Sequence, residues 1–216
     1  MEMASVILCN GDFPRKEYPL WLLRSADRIV CCDASGTVAK LEKIGLKPSL
    51  IVGDMDSMSP AAQKKWAGRI VRIDGQDDND LAKAMRVLLE RWPGETEIHI
   101  LGATGRSEAH SLGNLGWLME WEMRHGFQAR GVNVDMVSDY NTAFAVSGDI
   151  SLEVGQGRKI SFFTSDPTLR LHSEGLHWPL DDVALDAWWK ASLNRADSDA
   201  VALKFSHRAP LLIILD

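Results

Sequence analysis

The sequence predicts an α/β N-terminal domain, built on a doubly wound and mostly parallel sheet, followed by a C-terminal all-β sandwich. Three observations predict it. Apolar, β-branched runs alternate with segments of helical periodicity up to about residue 137. Beyond Ser138, short strand candidates follow one another with little helical pattern between them. The early strand candidates also end in polar or glycine-bearing tips, as expected where the carboxyl ends of parallel strands face a ligand. The change of texture falls at residues 138–145, giving domains 1–140 and 141–216.

Residues 5–10 form a short apolar run ending in Asn10-Gly11-Asp12, a strand and its turn. Residues 18–25 offer Leu20, Trp21 and Leu23 for helix packing. A second run, 28–33, ends in Asp33-Ala34-Ser35-Gly36, after which Val38, Leu41 and Ile44 recur at helical spacing. Residues 50–54 make the third strand, 61–67 a short helix and 69–73 the fourth strand. The clearest helix is 79–92: Leu81, Met85, Leu88 and Leu89 mark one face, Asp78 or Asn79 can cap it, and Pro93-Gly94 stops it. A fifth strand, 97–101, leads into Gly102-Ala103-Thr104-Gly105. A helix over 111–125, with Leu112, Leu115, Leu118 and either Met119 or Trp121 inward, precedes a sixth strand at 132–137. Strands are then expected at 142–146, 150–154, 159–163, 169–172, 201–205 and 211–215. Residues 187–192, with Trp188-Trp189, fit a helical turn or a strand equally.

The 216 residues are 45% hydrophobic and 25% charged, an ordinary globular balance that can bury a core. The apolar runs are too short to span a bilayer, and the first residues lack the pattern of a signal peptide. Cys9, Cys31 and Cys32 all lie in apolar runs without Cys-x-x-Cys spacing, so reduced buried thiols and a cytoplasmic setting are expected. The net charge of -6, with no dense Lys/Arg run, argues against nucleic-acid binding.

The chemistry centres on residues 51–57. A β-branched run stops at Gly53, and Asp54 and Asp56 follow two apart with Ser57 beside them. Such a pair can converge on Mg²⁺, which takes one or two protein carboxylates and fills its octahedron with water and phosphate oxygens. It can equally be an Asp-Ser turn. A second acidic cluster runs from Asp74 to Asp80 and enters a helix carrying Lys83. Four aspartates in seven residues exceed what a cap requires; a bound cation would relieve their repulsion, and Lys83 could then meet a phosphate. The Gly102–Gly105 turn can present backbone N–H groups to a phosphate, although it is not a Walker loop. His110 can serve as a general base or as a cap. Trp178, in a Gly/Pro-bounded loop, can be core or a platform for a flat cationic heterocycle.

The order of Asn10-Gly11-Asp12-Phe13-Pro14, Gly53-Asp54-Met55-Asp56-Ser57, Gln76 to Asp80 with Leu81-Ala82-Lys83-Ala84, Gly102-Ala103-Thr104-Gly105, His110-Ser111-Leu112-Gly113-Asn114, Gly175-Leu176-His177-Trp178-Pro179-Leu180 and Ser192-Leu193-Asn194 resembles the thiamine pyrophosphokinase family over nearly the whole chain. The resemblance implies an α/β domain followed by a β-sandwich, in a homodimer with sites at the interface. It implies pyrophosphate transfer from Mg-ATP to the hydroxyethyl oxygen of thiamine, giving thiamine diphosphate and AMP. Asp54, Asp56 and Asp80 match the metal and catalytic acids, joined by Lys83 as a catalytic residue. Asn10, Gly11, Asp33, Gly53, Ser57, Thr104, Gly105 and Arg106 are expected around ATP. Gln76, Trp178, Ser192, Asn194 and His110 are expected around thiamine, with Trp178 stacking on it. Asp80 is the candidate acceptor of the hydroxyl proton.

The sequence departs from the family pattern in three places. Cys31-Cys32-Asp33-Ala34-Ser35-Gly36-Thr37 stands where Cys-x-Asp-Gly-Gly-Ala-Asn is usual, and Gly75-Gln76 replaces Asp-Gln. Ser107 and Ala109 occupy usual Arg and Asp positions, while Arg106 and Glu108 carry those charges one residue earlier. A loop before His110 would let Arg106 reach ATP despite that shift. Two other functions compete: a diphosphokinase for another heterocyclic alcohol such as a pterin, and a thiamine-binding protein with impaired turnover.

Overall fold

The computed structural model describes residues 4–33, 35–75 and 78–216. The chain divides into two compact units, one of Met1–Asn114 with Val132–Asp139, the other of Leu115–Gly131 with Tyr140–Asp216.

The first unit is built on six parallel strands: β1 (Ala4–Leu8), β2 (Arg28–Cys32), β3 (Leu50–Gly53), β4 (Ile70–Arg72), β5 (Glu97–Leu101) and β6 (Asn133–Val137). Their spatial order is β6-β5-β1-β2-β3-β4. The chain winds one way from β1 to β4 and the other way from β5, so the switch point lies between β1 and β5. Side chains alternate along each strand. Val6, Leu8, Ile29, Cys31 and Ile51 pack with Leu22 and Leu23 of α1 (Glu17–Ser25) and Val38 and Leu41 of α2 (Ser35–Lys43). The intervening Ile7, Val30 and Val52 are fully buried too, and α4 (Asp80–Arg91) packs against β1, β2 and β3.

Between these lie α3 (Pro60–Trp66), capped by the Ser59 hydroxyl, and a 3-10 turn at Ala67–Arg69. The helix expected from residue 111 begins earlier, as α5 (Glu108–His125). Ser107 explains the earlier start: its hydroxyl accepts the His110 N–H and its carbonyl accepts the Ser111 N–H. Arg106 and Ser107 remain in the loop, whereas Glu108 and Ala109 are already helical. Leu112, expected inward, is half exposed, and Asn114 is buried in its stead.

The second unit adds α6 (Phe127–Arg130), held between left-handed Gly126 and Gly131, and two antiparallel sheets. One has the order β11-β9-β13-β7, from β7 (Thr142–Val146), β9 (Lys159–Phe163), β11 (Asn194–Arg195) and β13 (Leu211–Leu215). The other has the order β10-β12-β8, from β8 (Ile150–Glu153), β10 (Leu171–Glu174) and β12 (Ala200–Phe205). Ile160, Phe162, Leu211 and Ile213 of the first meet Leu171, Val201 and Leu203 of the second in one apolar core, a β-sandwich. Residues 187–192 resolve as turns that deliver Asn194 to the short edge strand β11.

Candidate active site

A cavity of about 370 Å³ opens at the carboxyl ends of the first unit's strands. Its walls come from the residues just after β1, β2 and β5 and from the first turns of α4 and α5. This is the switch point, where adjacent connections leave the sheet in opposite directions and open a crevice. The tips of β1 and β5 touch through backbone: Gly11 donates to the Gly102 carbonyl (2.6 Å) and Asp12 to that of Thr104 (2.9 Å). A Cβ on Gly11 would sit 2.4 Å from both carbonyl oxygens, so this approach requires glycine.

Asp33 forms the acidic floor. It is 3% exposed, and neither carboxylate oxygen has a hydrogen-bond partner. Burial pushes its pKa up. The Ser57 and Met55 N–H groups lean toward it and oppose the shift without reaching hydrogen-bond geometry, while the charges of Asp54 and Asp80 add to it. Gly53 makes room for this side chain, because a Cβ there would lie 2.3 Å from that of Asp33. Met55 then adopts a left-handed conformation (φ 69°) and turns its side chain into the core. That leaves Asp54 half-buried and Asp56 exposed on either side, with the Asp56 N–H donating to the Asp54 carboxylate at 3.1 Å.

Asp80 opens α4, whose cap is the Asn79 side chain, accepting the Ala82 N–H at 2.9 Å. Lys83 lies buried behind it, its ammonium 3.6 Å from an Asp80 oxygen and outside the cavity lining. Asn114 links three walls: its amide nitrogen donates to the Ala103 carbonyl (2.7 Å), and its oxygen accepts from Asn79 (2.9 Å). Arg106 reaches back to β1, donating to the Asn10 carbonyl and side-chain oxygens at 3.1 and 3.2 Å.

Of the residues expected from sequence, Asn10, Gly11, Asp33, Ser57, Asp80, Thr104, Arg106 and His110 line the cavity together. Gly53, Asp54, Asp56, Lys83 and Gly105 stand outside its lining. Among the described residues, no three His, Cys, Asp or Glu side chains are grouped as a ready metal cage. Mg²⁺ needs fewer protein ligands than that, and the unpartnered Asp33 oxygens beside Asp54 and Asp80 are the hard oxygen donors it prefers. Gln76, expected on the thiamine side, lies outside the described residues, as does Ala34. Sequence reasoning passed over Asn114, which showed only as one letter of a motif, and the cavity-lining thiols of Cys9 and Cys32. The hydrogen bond to Cys9, burial and nearby charge hold the Cys32 thiol well above its usual pKa.

Trp178, Ser192 and Asn194 belong to the second unit. Trp178 is 57% exposed, with His177 edge-on to it at 4.5 Å between ring centroids. Asn194 is buried and bonded to the Trp178 backbone, while Ser192 is exposed and donates to the Trp189 carbonyl at 2.9 Å.

Two family models match the chain: thiamin pyrophosphokinase, catalytic domain, over residues 20–129, and thiamin pyrophosphokinase, substrate-binding domain, over 142–209. Thiamine pyrophosphokinase 1 of rice is 26% identical over 153 residues, covering 64% of this chain and 55% of the rice protein. The match therefore spans about half of that relative's length. The solved structure of a thiamin pyrophosphokinase family protein from Enterococcus faecalis aligns with a TM-score of 0.77 at 19% identity, covering 99% of this chain and 98% of that one. Thiamine pyrophosphokinase from Bacillus subtilis aligns with a TM-score of 0.74 at 20% identity, covering 98% and 97%. The structural likenesses carry the fold, and the two family models carry the assignment: the chain belongs to the thiamin pyrophosphokinase family.

Proposed function

We propose that the protein transfers the pyrophosphoryl group of ATP to the hydroxyethyl oxygen of thiamine. The observation that carries this reading is the buried Asp33 carboxylate, unpartnered at the floor of a switch-point cavity. A cation bound in the cavity would offset the burial cost of this acid and hold it ionised. Asp54, Asp56 and Asp80, with the Asp33 oxygens, would hold Mg²⁺, and the metal would offset phosphate charge when bound.

In the reaction the thiamine oxygen bonds to the β-phosphorus, the bond from that phosphorus to the α-β bridging oxygen breaks, and AMP leaves. Asp80, at the helix start, accepts the hydroxyl proton. Lys83 is too deeply buried to lead the attack; its ammonium holds Asp80 in place. The Thr104 tip and Arg106, which both line the cavity, receive phosphate oxygens, and positioning supplies most of the acceleration. Trp178 gives thiamine an exposed aromatic face, with Ser192 as a further polar contact.

A homodimer with sites at the interface belongs to the same proposal, as does a cytoplasmic location. The three cysteines are free, which suits a reducing compartment. Among the described residues no helix is long and apolar enough to cross a membrane.

Incubation with Mg-ATP and thiamine tests the reading: AMP and thiamine diphosphate should appear in equal amounts. AMP release only with a hydroxymethyl pterin would make it a different diphosphokinase. Thiamine binding without either product would make it a binding protein.

A further inference from the structure

We propose that Cys9 and Cys32 form a dithiol site in the wall of the ATP cavity, which hydrogen peroxide closes to a disulfide that blocks nucleotide binding. The identity of the nucleotide rests on the proposed function, but the thiol chemistry does not.

Leu8 and Cys31 are registered partners on β1 and β2, so Cys9 and Cys32 come next to one another at the strand ends. Alternation puts both on the face of Ile7 and Val30, whereas Cys31 turns into the opposite core with Val6 and Leu8. Their sulfurs are 3.6 Å apart, with Cys32 donating to Cys9. Both line the cavity, at 7% and 3% exposure, so a small oxidant that enters the cavity meets them. Neighbouring strands run about 4.8 Å apart, inside the 4.4–6.8 Å span of Cα atoms that a disulfide bridges.

The chemistry balances with peroxide as the oxidant. The Cys9 sulfur attacks one peroxide oxygen, the O–O bond breaks, and one water leaves as a sulfenic acid forms. The Cys32 sulfur then attacks the Cys9 sulfur, the S–O bond breaks, and a second water carries off the remaining proton. Two thiols are oxidised by two electrons, and one peroxide is reduced to two waters.

Closing the sulfurs from 3.6 Å to a disulfide bond length draws them together by about 1.5 Å. Cys9 directly precedes Asn10, and Cys32 directly precedes Asp33, so both cavity walls shift with them. A misplacement of about 1 Å in such a site can cost about 10²-fold in reaction rate, and the shifted walls no longer match the nucleotide.

The test treats the full chain with hydrogen peroxide and then alkylates it under denaturing conditions. Alkylatable thiols should fall from three to one, with a Cys9–Cys32 linked peptide in the digest. Mg-ATP affinity should fall at least tenfold and return with dithiothreitol. Cys31→Ala should respond like the parent, and Cys9→Ser should form no intramolecular link. An absent link, a link through Cys31, or a Cys9–Cys32 link that leaves ATP affinity unchanged would overturn the proposal. A chain that binds no ATP before oxidation refutes the functional reading and, with it, the blocking role of the disulfide.

Discussion

Asn194 grips Trp178 by both backbone polar groups. The Trp178 N–H donates to the Asn194 side-chain oxygen at 3.2 Å, and the Asn194 amide nitrogen donates to the Trp178 carbonyl at 2.7 Å. With its amide spent on backbone and its side chain 3% exposed, Asn194 fixes the angle at which the exposed indole is presented. Asn194→Ala should therefore imitate Trp178→Ala. Each should weaken thiamine binding roughly tenfold, the worth of a cation–π contact, and leave ATP binding unchanged. Calorimetric titration with each ligand checks this; equal losses for both ligands would mean that the exposed indole is not the thiamine platform.

Asp33 links stability to function. Its raised pKa means that the folded state holds the proton more tightly than the unfolded chain. Stability therefore falls as pH rises from the ordinary carboxylate value through the raised one, and at neutral pH the ionised group works against folding. Asp33→Asn keeps the shape and removes the buried charge. Its Tm should rise at pH 7, while turnover drops on the order of 10²-fold. A lower Tm would mean that the carboxylate is satisfied after all.

Asp54→Asn and Asp56→Asn should each abolish most turnover with little change in Tm, because Asp54 is only half-buried and Asp56 is exposed. Activity measured across Mg²⁺ concentrations is the check. Near-parent activity throughout would remove these residues from the metal site.

The loop before α5 makes a directional prediction. Arg106 sits in that loop and lines the cavity, so Arg106→Ala should clearly raise the ATP KM or lower kcat. Restoring the usual family residues with Ser107→Arg and Ala109→Asp removes the helix cap, at about 1 kcal/mol, and should change activity only modestly. A large gain from the double change, with Arg106→Ala silent, would show an impaired enzyme.

His99 and Asp135 are buried cross-strand partners 2.7 Å apart. Burial disfavours the charged imidazole, but the hydrogen bond and charge of Asp135, helped by Glu97, outweigh it and raise the pKa above 6.5. The stabilisation is complete below pH 6.5 and is lost as pH climbs through the raised value. The Tm difference between the parent and His99→Gln should narrow over that rise. A constant difference across pH would mean that the pair does not titrate there.

The sequence by itself determined the fold class and which strand tips gather around the cavity. Helix and strand periods are local, and so are stop signals such as Pro93-Gly94, so the alternating segments and the later strand-rich stretch could be read from residue order. The tips bearing Asn10, Asp33 and Gly102 could be placed at one sheet edge because parallel strands present their carboxyl ends together. Tertiary structure decided what depends on register and burial. Nothing local shows that Cys9 lies beside Cys32 while Cys31 points away, since that follows from the pairing of β1 with β2. The cap at Ser107 moved the start of α5 three residues earlier than its apolar pattern suggested. Packing against Asn79 and Ala103 turned Asn114 inward to join three cavity walls and left Leu112 half exposed. Asp33 reads in sequence as one more turn aspartate, and only packing against Gly53 strips it of water and leaves its charge uncompensated.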